Sequence, residues 1–89
     1  MSFRLEYVST EPRCVATYNI NRKLLMITNE SEVVVYISKN PLNITESGIP
    51  LFPYETITFD VADADAPEEA FYAQTRVGRA RLRIYEALI

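Results

Sequence analysis

The sequence has no histidine and no tryptophan, a single cysteine and only two glycines. Without histidine the commonest general base and the commonest metal-binding side chain are both missing, which excludes Ser-His and Cys-His nucleophile pairs within one chain. The lone Cys14 rules out an internal disulfide and reads as a small, half-buried thiol. Gly48 and Gly78 are too few for a glycine-rich phosphate loop. No apolar run approaches the roughly 18 residues that cross a bilayer, and Arg4, Glu6 and Glu11 stand where a signal peptide would be apolar. We therefore expect a protein made in the cytosol with no membrane partner.

What is present describes an ordinary globular chain. Hydrophobic residues make up 48% of the 89 residues and charged residues 24%, enough apolar surface to fold as one domain. So small a domain is marginally stable, and help from a partner or an oligomer is expected. The formal charge of −3 gives no overall attraction to nucleic acid. Charge is unevenly spread. Glu55, Asp60, Asp63, Asp65, Glu68 and Glu69 follow one another without a base, whereas Arg76, Arg79, Arg81 and Arg83 crowd the end of the chain. Such asymmetry suits contacts between subunits.

Short strands account for the pattern. Arg13 to Tyr18 is rich in β-formers, Lys23 to Thr28 is continuously apolar as in a strand buried on both faces, and Val33 to Ser38 holds three successive valines before Tyr36 and Ile37. Asn29 to Glu32 supplies turn chemistry, so Lys23 to Ser38 reads as a hairpin. Pro41, Pro50 and Pro53 make Lys39 to Pro53 a long ordered loop. Glu55 to Val61 alternates, with Ile57, Phe59 and Val61 on the buried side. Phe71 to Thr75 and Arg79 to Glu86 flank Gly78 as a closing hairpin. The expected fold is all-β, a small antiparallel β-sandwich or barrel of about six short strands spanning residues 13–89. Residues 1–12, with Phe3, Leu5 and Tyr7 alternating, form an extra strand or, as we prefer, an arm that reaches a neighbour.

Candidate chemistry is sparse. The acids from Asp60 to Glu69 read as a solvated loop rather than a carboxylate pair or a calcium site, since they lack an apolar pocket and the EF-hand spacing. Asn29-Glu30-Ser31 and Asn43-Ile44-Thr45 match the glycosylation pattern in a chain without a secretory signal. Arg79, Arg81 and Arg83 fall at period two on one side of the last strand, with Tyr85 in the same row. Such a row is a plain solvated face, an acid-matching protein interface or a nucleic-acid contact. The interface reading is the sharper, because arginine and aromatic residues dominate hot spots and Phe52, Tyr54 and Tyr72 are also available. No cofactor or metal is expected.

Three stretches carry a resemblance. NRKLLMITNESEVVVYIS, GIPLFPYETITFD and FYAQTRVGRARLRIYE together resemble a pattern of small structural proteins of tailed bacteriophages, over Arg22 to Glu86. Arg22, Lys23, Ile27, Asn29 and Ser31 fill its first element, Val35 to Ile37 its second, Gly48 to Leu51 with Pro53 and Glu55 its corner, and Tyr72, Ala73, Gly78, Ala80, Leu82, Arg83, Ile84 and Glu86 its end. Tyr54 departs from it where glycine is usual, and the acidic loop is longer. The resemblance implies a β-sandwich virion component, above all a capsid decoration protein that docks on the major capsid protein and self-associates. A head-tail connector or tail accessory subunit, or a small receptor- or carbohydrate-binding module, are the alternatives. The last is weakened by the missing tryptophan. The interface is expected at Arg79, Arg81, Arg83, Tyr85, Phe52 and Tyr54.

Overall fold

The computed structural model describes residues 2–88. Met1 and Ile89, the ends of the expected arm and domain, lie outside the described residues. Two antiparallel four-stranded sheets face each other. The first, sheet A, runs in the order β1 (Ser2–Val8), β8 (Ala80–Leu88), β3 (Arg22–Asn29), β6 (Thr56–Asp60). The second, sheet B, runs in the order β2 (Arg13–Ala16), β7 (Phe71–Thr75), β4 (Val35–Ser38), β5 (Ile49–Leu51). Alternation explains the layering. Leu25 and Ile27, Leu82 and Ile84, and Val35 and Ile37 all turn inward and are fully buried. Phe59 of β6 meets Phe71 of β7 across the gap at 4.5 Å between ring centroids.

The sandwich and its antiparallel pairing match the sequence reading; the connections and several boundaries do not. The described residues form eight strands rather than about six. Every connection except β4–β5 passes from one sheet to the other. The expected hairpin over Lys23 to Ser38 is therefore an arch, with β3 in sheet A and β4 in sheet B, and the same holds for β7 and β8 around Gly78. Turn residues signal that the chain reverses but not whether it reverses within a sheet or across the core. Gly78, with φ 75°, sits in the left-handed region that its missing Cβ permits. Residues 2–8 are not an arm: they pair along β8 from Ser2 opposite Glu86 to Val8 opposite Ala80.

Lys39 to Pro53 is not all loop. A four-residue helix α1 (Ile44–Ser47) buries Ile44 and delivers the chain to β5. Pro50 is tolerated there because β5 is an edge strand, paired only with β4. Gly48 has an ordinary φ of −75°, so its role is contact rather than backbone freedom. A Cβ there would stand 2.4 Å from the Ile44 carbonyl oxygen and 3.0 Å from that of Ile37. Leu24 and Met26 are half-exposed, so β3 is not buried on both faces, and Val61 and Cys14 are exposed.

Arg22, 2% exposed, holds the acidic loop down. Its Nη1 donates to the carbonyls of Pro67 and Glu69 and its Nη2 to that of Thr17. Burial pulls its pKa down, opposed by Glu86 at 3.7 Å. Glu86 is also bound by Arg4 at 2.7 Å, which ties β1 to the same network.

Candidate protein interface

The candidate surface is built outward from Asn29, the last residue of β3. Its buried side-chain amide donates to the carbonyls of Val33 (2.7 Å) and Leu51 (3.0 Å), while its Oδ1 accepts from the Ser31 N–H and hydroxyl. Its backbone accepts from the Tyr54 N–H and donates to the Glu55 carbonyl. One side chain thus fixes the β3–β4 arch against the β5–β6 corner. Folded this way, Asn29 offers nothing to a glycosylating enzyme; Asn43 is exposed.

The next residue, Glu30, organises the arginines. Its Oε2 accepts from Arg83 Nε at 2.7 Å and its Oε1 lies 3.2 Å from Arg81 Nε. The Arg83 hydrogen bond, with the charges of Arg83 and Arg81, outweighs desolvation and holds the Glu30 carboxyl below its ordinary value. Glu30 in turn raises the pKa of Arg83, so both groups stay ionised. The Arg83 guanidinium also stands 5.8 Å from the Phe3 ring centroid. Two guanidiniums share one carboxylate, leaving the cluster cationic. Arg79 is exposed and borders a shallow hollow with Tyr7, Val8 and Ser9.

The six residues expected from sequence fall into two groups. Arg81, Arg83 and Tyr85 lie along β8 on the outer side of sheet A, with Arg79 just before the strand. Phe52 and Tyr54 occupy the β5–β6 corner, exposed, and are linked to the arginines through Asn29 and Glu30. Tyr54 takes the left-handed φ of 63° that glycine adopts easily. Tyr72 lies apart on β7 of sheet B. Sequence reasoning missed the apolar members of the outer face. Phe3 (66% exposed), Leu5 and Tyr7 lie opposite Tyr85, Arg83 and Arg81 on β1, while Leu24 and Met26 follow on β3. The signals existed: the Phe3, Leu5, Tyr7 alternation, and a β3 apolar at every central position.

Asp60, which ends β6, and Asp65 of the loop after it are already committed. The Asp60 carboxylate accepts from Ala62 N–H and the Asp65 carboxylate from Asp60 N–H, so these acids shape their own turn. No group of three or more metal-ligating side chains occurs among the described residues, and no helix there is long and apolar enough to cross a membrane. A polar hollow of about 320 Å³ between β1 and β2 is lined by Arg4, Glu6, Arg22 and Glu86, which pair with one another. Set against known protein families, curated proteins and solved structures, the chain matches none.

Proposed function

We propose that the chain is a virion structural protein of the capsid-decoration kind, which docks on the major capsid protein and associates with copies of itself. The observation that carries this reading is the outer face of sheet A. An antiparallel sheet with one free face normally turns polar residues to water. Here Phe3, Leu5 and Tyr7 are exposed beside Arg81, Arg83 and Tyr85, the composition of a surface meant to be covered. The residues behind the phage resemblance support it from another side. Arg22, Asn29, Gly48 and Glu55 hold loops and corners, and a motif made of such residues describes a scaffold.

The test is to mix the purified chain with empty coat-protein shells and measure binding by co-sedimentation. Saturable binding over the whole shell lattice, lost in Arg79→Glu and in Tyr54→Ser, is the expected result. Binding confined to the neck, or none at all, would overturn decoration; the first outcome would assign the chain to the head-tail connector.

A further inference from the structure

The partner on the broad outer face of sheet A can be specified by chemistry. We infer that a second copy of this chain covers it, turned end for end about a two-fold axis lying across the strands. The inference rests on the self-association half of the decoration reading, and it leaves the exposed Phe52 and Tyr54 of the β5–β6 corner to the capsid protein.

Apolar composition comes first. β8 and β3 are the central strands of sheet A, and there Met26 lies opposite Tyr85, with Leu24 next along β3 and Phe3 opposite Tyr85 on the other side. The middle of the face is thus apolar and aromatic, as a well-packed interface core requires. Sheet B is more mixed on its outer side: Tyr36 lies opposite Gln74 and Tyr72 opposite Ser38, and the Tyr36 ring is already capped by Arg76 at 4.8 Å.

Charge selects the partner and its orientation. Arg79, Arg81 and Arg83 gather at the end of sheet A where β3 finishes at Asn29 and β6 begins at Thr56. Asp60 closes the opposite end, followed by the loop with Asp63, Asp65, Glu68 and Glu69, which Arg22 and Lys39 hold in place. Neither Asp63 nor Glu68 takes part in an ion pair among the described residues. A copy laid on with its strands running the same way would set arginines on arginines. Turned end for end, it sets the arginine end of each chain toward the acidic end of the other, and the two-fold makes the match twice.

Light scattering over a dilution series tests this, with a dimer expected at about 100 µM. Met26→Arg and Leu24→Glu, on the outer side of β3, should each raise the dissociation constant about 30-fold or more while leaving the circular dichroism spectrum unchanged. Raising salt from about 0.05 M to about 0.5 M should weaken the dimer, because unlike charges attract across it. A monomer at this concentration, a trimer or a closed ring would overturn the inference, as would dimers indifferent to both substitutions. Tightening with salt would overturn the end-for-end orientation. Shell binding by a strict monomer would uphold the docking reading while ending this one, and dimers that ignore shells would do the reverse.

Discussion

Asn29, Glu30 and Tyr54 show how much of this surface hangs on single side chains. Replacing Asn29 with Ala takes its donor from the buried Leu51 carbonyl and leaves the Val33 carbonyl with the Ser31 hydroxyl alone. The cost should be about 3 kcal/mol, read as a lower midpoint in urea unfolding. Glu30 has a folded pKa below its unfolded value, so its contribution is complete above the ordinary carboxylate range and is lost as pH falls through the folded value. Between about pH 6 and about pH 3 the parent chain should lose more melting temperature than Glu30→Gln. Tyr54 holds a left-handed backbone that asparagine adopts more readily. Tyr54→Asn should therefore stabilise the fold by about 0.5 kcal/mol in thermal melts while weakening docking, because the exposed ring is removed.

Elements were legible where a strand's own alternation decides its burial, as in β8, whose Ala80, Leu82 and Ile84 face inward and whose Arg81 and Arg83 face out. They were illegible where position in the sheet decides. Pro50 argues against a strand, yet β5 exists because an edge can dispense with one donor. Leu24 and Met26 argue for burial on both sides, yet the described chain places nothing over the outer face of β3. Gly48 belongs to the corner of the sequence pattern, yet its φ is ordinary and it serves as a gap between the carbonyls of Ile44 and Ile37. Gly48→Ala should push α1 off β4 and cost at least about 2 kcal/mol, measured by chemical denaturation.

As a whole molecule the chain interleaves its sheets, and its first strand pairs with its last, so few of its stabilising contacts are local. Chains of this kind fold slowly and are held by one shared core. Phe71, fully buried against Phe59, is central to that core. Phe71→Ala should cost about 3–5 kcal/mol, much of the stability of so small a domain, and should leave the variant largely unfolded near 37 °C by circular dichroism. Covering the outer face of sheet A, as proposed, would supplement this modest core, because a partner that binds only the folded chain stabilises it.

The sequence by itself determined the β class, the inward and outward residues of the well-alternating strands, the exclusion of histidine chemistry and the arginine row on one side of the last strand. These are legible because the period of two is a property of the pleat and each side chain carries its own chemistry. Only the tertiary structure decided that the Asn29 turn is an arch, that residues 2–8 are a strand of sheet A, that Glu30 gathers two arginines, and that Arg83 and Asp60 stand toward opposite ends of sheet A. Those choices depend on partners remote in sequence. A turn motif has the same local chemistry within a sheet or across the core, and burial of apolar area against the other sheet selects between them.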